Sequence, residues 1–245
     1  MSDLSIPVVH QNQKCWALVP AAGIGKRFGS DTPKQYLKLH NREILAWTLQ
    51  TLRDLPYLEK IILVLHPDDD YFAASLAVQF PDLIIVEGGD ERLNSVANGL
   101  QALHMLAADN DWVMVHDAVR PCVMPEDINK LVVSMQHDDV GGVLASPVKD
   151  TLKRSDAAMQ VVDTPDRSQY WLAATPQLFR FGVLRNAMSA ALQKGFLATD
   201  EAAAVEALGL AVKLVEGRSD NIKITSPEDL KLAEFLLMQL GKVKP

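Results

Sequence analysis

The chain has 245 residues, 48% of them hydrophobic and 22% charged, which allows one substantial core and argues against disorder. A formal net charge of −7 disfavours a general nucleic-acid binder, which usually carries a basic excess, but a small anionic substrate needs only a local basic pocket. Two distant cysteines and six scattered histidines indicate neither a disulfide framework nor a metal site built from them.

Neither a secretory signal nor a membrane span is predicted. The first fourteen residues lack the basic start and long apolar run of a signal peptide. The longest apolar runs, such as IILVL, have the length of a strand. We therefore expect a cytoplasmic protein with no membrane partner.

Short apolar runs alternate with helix-length amphipathic segments along the chain. Strands are predicted at residues 15–19, 60–65, 83–86, 112–116 and 142–146, and near 211–215. Helices are predicted at 43–52, 69–79, 91–107, 126–135, 182–193, 200–208 and 227–240, the last beginning with Ser226 as N-cap and Pro227 after it. This alternation predicts an α/β fold with a mostly parallel sheet and helices on both faces.

Residues 147–171 break the alternation. Within this polar stretch, DTLKR and MQVVDT are predicted to pair as two extended strands. The pattern alone leaves two interpretations open: a surface hairpin, or an arm that reaches a partner subunit or lines a site. With no repeat or linker elsewhere, we predict one domain over residues 1–245 with this excursion.

The first strand leads into VPAAGIGKRFGSDTPKQYL, residues 19–37. Ligands of open parallel sheets bind at the carboxyl ends of strands, so the position suits a site. The segment does not match the dinucleotide-binding motif, because Phe28 replaces its third glycine. It does not match the P-loop either, since Pro20 replaces the first glycine and Arg27 stands where Ser or Thr is required. Small residues still let backbone N–H groups approach phosphate oxygens, and Arg27 and Lys34 add charges that would stabilise attack on phosphorus. Solvated surface cations are the competing interpretation.

The whole string resembles the signature of the sugar-phosphate nucleotidyltransferases, in particular the cytidylyltransferases acting on 2-C-methyl-D-erythritol 4-phosphate. Further stretches match the family in order: GGDERLNSVANGL, VHDAVRP, KDTLKR, TPDRSQYW, ATPQLF, TDEAAAVE and VEGRSDNIKITSPEDL. The resemblance runs from about residue 15 to 240. It implies a Rossmann-like nucleotidyltransferase fold with a protruding β-arm.

The resemblance also implies the reaction. The cytidylyl group of CTP would pass to methylerythritol phosphate with release of pyrophosphate, giving 4-diphosphocytidyl-2-C-methyl-D-erythritol for isoprenoid precursor synthesis by the non-mevalonate pathway. Mg²⁺ is expected to accompany CTP, and Asp117 can hold it directly or through water, although a turn-capping role is equally open from the residues. Ribitol 5-phosphate cytidylyltransferase and a non-catalytic nucleotide-binding module are the alternatives.

Residue roles follow from the same resemblance. Arg27 and Lys34 match the catalytic stabilisers of the transition state. Arg167, Lys223, Thr151, Thr175 and Thr199 match positions that bind the acceptor. Nucleotide contacts are expected at Pro20, Ala21, Ala22, Gly23, Gly25, Gly89, Asp90, Ser95, Asp117 and Ala118, with helix N-capping as the competing role of Asp90. Because the family's β-arm embraces a neighbouring subunit, a homodimer is expected.

Overall fold

The computed structural model describes residues 13–23 and 32–243. The predicted site residues Gly25 and Arg27 lie outside these ranges. Within them no helix is long and apolar enough to cross a membrane.

A seven-stranded sheet forms the centre of the structure, in the order β11-β7-β10-β6-β1-β4-β5. All its neighbouring strands pair in parallel except β10, which is antiparallel to both β6 and β7. This confirms the predicted mostly parallel sheet. The strands are β1 (Cys15–Pro20), β4 (Leu58–Leu65), β5 (Ile84–Glu87), β6 (Trp112–Val115), β7 (Gly141–Pro147), β10 (Trp171–Arg180) and β11 (Lys213–Glu216).

Helices cover both faces of this sheet. On β1, Ala17 and Val19 pack into one core with α1 and α4, whereas Trp16 and Leu18 point into a second core with α3, α5 and α6. Such alternation lets one strand bury apolar surface on both sides. The helices are α1 (Ile44–Arg53), α2 (Tyr71–Ser75), α3 (Arg92–Leu103), α4 (Pro125–Ser134), α5 (Phe181–Gln193), α6 (Glu201–Glu206) and α7 (Pro227–Gln239).

A side-chain cap explains where α7 begins. Ser226 is the N-cap of α7 as predicted, and it forms a capping box with Asp229. Helix α2 is much shorter than the predicted 69–79, because a series of turns follows Ser75. Before it, the Asp69 carboxylate accepts the Phe72 N–H at 3.0 Å. The N-cap of α3 is Glu91, so the capping role considered for Asp90 is wrong.

Two short antiparallel pairs lie outside the main sheet. Strands β2 (Lys38–Leu39) and β3 (Arg42–Glu43) form a tight hairpin that was not predicted. Strands β8 (Arg154–Ser155) and β9 (Val161–Asp163) pair within the excursion, which confirms the pairing predicted for DTLKR and MQVVDT. The residues of β8 and β9 are all exposed.

Candidate functional site

A cavity of about 440 Å³ opens at the carboxyl ends of β1, β5 and β6. This is the edge at which open α/β sheets bind ligands. The walls are Pro20, Ala21, Ala22, Gly23, Lys34, Gln35, Gly89, Asp90, Glu91, Arg92, Ser95, Asp117, Ala118, Val119, Lys223 and Thr225.

Most of the predicted nucleotide contacts lie in these walls. The cavity brings together Pro20, Ala21, Ala22, Gly23, Gly89, Asp90, Ser95, Asp117 and Ala118, with the cations Lys34 and Lys223. Gly25 and Arg27 lie outside the described residues. Thr151, Thr175, Arg167 and Thr199 are not among the lining residues of this single chain.

Backbone hydrogen bonds fix the loop after β1. The Ala21 N–H donates to the Val64 carbonyl at 2.8 Å, and the buried Gln35 side chain donates to the Ala21 carbonyl at 2.8 Å. Gln35 belongs to a 3-10 helix over Lys34–Tyr36, so the same bond fixes the start of that helix against the loop. No sequence motif had indicated Gln35 as a site residue.

Close packing on the opposite wall requires a glycine. A Cβ added at Gly88 would lie 2.4 Å from the Ala22 Cβ and 2.9 Å from Ser95 Oγ, so the neighbouring atoms would have to shift. Ser95 Oγ in turn accepts the Gly89 N–H at 3.2 Å. The loops after β1 and β5 therefore meet directly, and this contact shapes the cavity.

Lys34 reaches across the cavity towards the segment that carries Lys223. Its Nζ donates to the Ile224 carbonyl at 3.4 Å. That segment is held against the loop after β6, because the Ile224 N–H donates to the Val119 carbonyl at 3.0 Å. Two cations from distant parts of the sequence thus line one cavity.

Asp117 is the centre of a cluster of three cations. Its carboxylate lies 3.1 Å from Arg120 Nε, 3.1 Å from Lys223 Nζ and 3.4 Å from Arg92 Nη2. The residue is buried, which by itself would raise its pKa, but Arg92, Lys223 and Arg120 together hold the pKa well below its usual range. Asp117 is therefore ionised, and Arg120 is one of its ion-pair partners.

Thr175 and His116 hold the backbone of the loop after β6 through hydrogen bonds. Thr175 Oγ1 accepts the Asp117 N–H at 3.0 Å and lies 3.0 Å from His116 Nδ1, while His116 Nε2 lies 3.3 Å from the Arg120 carbonyl. A carbonyl only accepts, so Nε2 carries the proton and Nδ1 accepts from the threonine hydroxyl. Burial lowers the pKa of His116 to about 4, which keeps this imidazole neutral.

Arg92 and Glu201 are functional candidates that the sequence reading missed. Arg92 begins α3 and donates to both carboxylate oxygens of Glu201, at 2.5 and 3.1 Å. Burial raises the pKa of Glu201, and the guanidinium of Arg92 opposes that rise. Arg92 belongs to the GGDERLNS motif, which follows the end of a strand, and this position could have identified it as a site residue. Nothing in TDEAAAVE indicates that Glu201 is buried.

The remaining predicted acceptor contacts lie at the surface of this chain. Arg167 Nη1 donates to the Lys149 carbonyl at 2.5 Å within the excursion. Thr151 and Thr199 are exposed. None of these three side chains forms part of the cavity walls in the single chain.

The described residues fit a metal ion only in part. They contain no cluster of three or more histidine, cysteine, aspartate or glutamate side chains that could hold one. Asp117 is one of three carboxylates in the cavity walls, with Asp90 and Glu91, and both of its oxygens face cations. Mg²⁺ is commonly held by one or two carboxylates together with substrate phosphates and water, and Asp117 suits that arrangement rather than an all-protein site.

Comparison with known proteins assigns the family. The family model of 2-C-methyl-D-erythritol 4-phosphate cytidylyltransferase matches residues 15–239. The enzyme of that name from Vibrio atlanticus is 49% identical over 231 residues, covering 94% of this chain and 97% of the relative. Its counterpart from Hahella chejuensis is 45% identical over 230 residues, covering 94% and 95%.

A solved structure agrees with both relatives. The crystal structure of the Francisella tularensis 2-C-methyl-D-erythritol 4-phosphate cytidylyltransferase superposes with a TM-score of 0.78 at 36% identity, covering 92% of this chain and all of the other. The residues that the family model matches, 15–239, include the strands of the main sheet and the segment that carries Lys223. The chain therefore belongs to the 2-C-methyl-D-erythritol 4-phosphate cytidylyltransferase family.

Proposed function

We propose that the cavity binds CTP and that the chain transfers its cytidylyl group to 2-C-methyl-D-erythritol 4-phosphate. Pyrophosphate leaves, and 4-diphosphocytidyl-2-C-methyl-D-erythritol forms, a step of isoprenoid precursor synthesis by the non-mevalonate pathway. The observation that carries the proposal is the convergence of Lys34, Lys223 and Arg92 on one cavity, whose walls also include the small residues of the loops after β1 and β5. Such a site suits a ligand with several phosphates.

The chemistry needs positioning and charge neutralisation rather than a nucleophilic side chain. A phosphate oxygen of the acceptor attacks the α-phosphorus of CTP, the bond from that phosphorus to the bridging oxygen breaks, and pyrophosphate takes the electron pair. The acceptor phosphate is already an anion, so no general base is required. Negative charge grows on the oxygens of the α-phosphate, where Lys34 and Arg27 would stabilise it.

The nucleotide would lie along the loops after β1 and β5. Pro20, Ala21, Ala22, Gly23 and Gly25 would approach the phosphates and ribose through their backbone. Gly89, Asp90 and Ser95 would contact the base and ribose from the opposite wall, with Asp117 and Ala118 at the end of β6. The fit of Ala22 against Gly88 supports this assignment because it leaves the two loops at a defined separation.

The acceptor would bind at the Lys223 end of the cavity. Lys223 offers a point charge to its phosphate, and Arg167 offers a guanidinium that can form two parallel hydrogen bonds. Arg167 and Thr151 would come from the arm of a second subunit, and Thr199 would add a hydroxyl. Thr175 would act through Asp117, since its own hydroxyl already binds His116 and the Asp117 N–H.

A homodimer joined by the β-arm around residues 147–171 is part of this proposal. The excursion exposes the apolar side chains of Val161 and Val162, as well as Trp171, in the isolated chain, and Leu172 directly after it is exposed too. An exposed apolar patch of this kind marks an interaction surface. Changing Val161 and Val162 together to aspartate should give monomers in analytical ultracentrifugation with little turnover; a dimer of undiminished activity would contradict the arm's role.

Three further features complete the proposal. Mg²⁺ would accompany CTP, held by its phosphates and reached by Asp117, and would supply additional neutralisation of phosphate charge. The whole chain would form one nucleotidyltransferase domain that carries the arm. It would work in the cytoplasm, where CTP is available.

The direct test is pyrophosphate release in the presence of CTP and Mg²⁺. Methylerythritol phosphate and ribitol 5-phosphate are compared as acceptors, with ATP, GTP and UTP as nucleotide controls. Turnover with CTP and methylerythritol phosphate is expected. Preference for ribitol phosphate would indicate the sister activity, and turnover with neither acceptor would favour a nucleotide-binding module.

A further inference from the structure

Arg92 has hydrogen-bonding capacity left over at the cavity. A guanidinium carries five N–H donors in a planar fork. Two donate to Glu201 and one, on Nη2, to Asp117, so two N–H groups are not engaged by the described residues. These two are the Nε–H and one Nη1–H, which lie on opposite edges of the guanidinium plane. Because Arg92 lines the cavity, an anionic ligand there can accept from one of them.

Glu201 holds the other side of that fork. It is fully buried, does not line the cavity, and presents both of its oxygens to Arg92. A bidentate carboxylate fixes both the place and the rotation of a guanidinium plane, which a single bond cannot do. The direction in which Arg92 points is therefore set from behind the cavity wall.

Strand β10 fixes Glu201 in turn. The buried Gln177 accepts the Ala202 N–H at 2.9 Å and donates to the Asp200 carboxylate at 2.8 Å, on either side of Glu201. Asp200 also caps α6 by accepting the Ala203 N–H at 2.9 Å. The first turn of α6 is thereby tied to the same strand whose Thr175 orients the Asp117 backbone.

We propose that Glu201 is a positioning residue for nucleotide binding, which holds Arg92 so that one of its remaining N–H groups faces the phosphates of CTP. This rests on the assignment of the cavity to CTP. The rival explanation is an ion pair that merely joins α3 to α6. The two differ in what a change at Glu201 affects: nucleotide affinity in the first case, and only the free energy of unfolding in the second.

The test measures CTP binding by calorimetry and steady-state kinetics on the full chain, with Mg²⁺ present. Glu201→Gln keeps the shape but replaces a bidentate ionic contact by a neutral one. It should raise both the Kd and the KM for CTP by about tenfold, with the KM of the acceptor changed by less than about twofold. Unchanged CTP affinity in this variant would overturn the proposal.

A double-mutant cycle shows whether Glu201 acts through Arg92. Arg92→Gln should weaken CTP binding at least as much as E201Q, and adding E201Q to it should weaken binding by less than about a further twofold. Equal effects of E201Q with and without Arg92 would overturn the proposal. If E201Q does not fold, Arg92→Lys serves instead, since lysine keeps the positive charge but lacks the forked N–H donors of the guanidinium. Normal CTP affinity in R92K would overturn the proposal.

Asp138→Asn is the matched control. Asp138 is also a largely buried carboxylate, paired with Lys213 at 2.7 Å, but it is not one of the residues that line the cavity. This variant should lower the Tm while leaving CTP affinity unchanged; an equal loss of CTP affinity would mean that general destabilisation explains E201Q. Wild-type protein that binds no CTP would instead refute the assignment of the cavity itself.

Discussion

Replacing Asp117 by asparagine tests the charge cluster at its centre. The change removes one buried negative charge from among three cations and turns an amide NH₂ towards them. Breaking a buried ion pair from one side costs about 3–5 kcal/mol. The three partners keep contact with solvent, their side chains being 33%, 13% and 39% exposed for Arg92, Arg120 and Lys223, so we expect the lower end.

A loss of ~3 kcal/mol corresponds to a Tm about 6–12 °C lower for a chain of this size. The measurement is thermal unfolding followed by circular dichroism, together with urea unfolding. Asp163→Asn is the control, since Asp163 pairs with Arg154 at 2.9 Å but both side chains are largely exposed. That variant should unfold as the wild type does. If D117N and D163N had equal effects, the reasoning from burial would be refuted.

Three further predictions concern the same cavity. Lys34→Met should lower kcat by about 10²–10³-fold in the pyrophosphate assay, whereas the exposed Lys38→Met should not, and equal rates for both would contradict the role of Lys34. Gly88→Ala should raise the KM for CTP and cost about 1–3 kcal/mol of stability in urea unfolding, because its Cβ would meet Ala22 at 2.4 Å; a neutral effect would show that the loops separate easily. Burial lowers the pKa of His116 to about 4, whereas a histidine in the unfolded chain has a pKa near 6.5. Because the unfolded chain therefore binds the proton more readily, the free energy of unfolding should fall by up to about 3 kcal/mol as the pH drops between these two values. An imidazole NMR titration of His116 above pH 5 would refute this.

The strand and helix pattern was largely predictable because each element has a clear apolar period. The six predicted strands all occur in the main sheet with ends displaced by at most a few residues. Strand β10 was missed, although it lies between β6 and β7. Its sequence contains Pro176, its first residues are exposed, and its pairing with β7 shifts register between Ala173 and Gln177; all three features are untypical of a central strand.

The site was predictable where the family motifs lie at strand ends. Most of the residues expected around CTP line one cavity because β1, β5 and β6 end at the same edge. Gln35 and Glu201 could not be found in this way. Their importance depends on contacts with Ala21 and Arg92 that only the folded chain forms, and polar residues at helix starts are usually surface caps.

The central claim is that this cavity catalyses cytidylyl transfer, and one measurement tests it most directly. Wild-type and K34M proteins are incubated with α-³²P-labelled CTP, Mg²⁺ and either methylerythritol phosphate or ribitol 5-phosphate, and the labelled products are separated. We expect label in 4-diphosphocytidyl-2-C-methyl-D-erythritol with the wild type, and a far lower rate with the variant. Transfer to neither acceptor, or transfer that K34M leaves undiminished, would contradict the account.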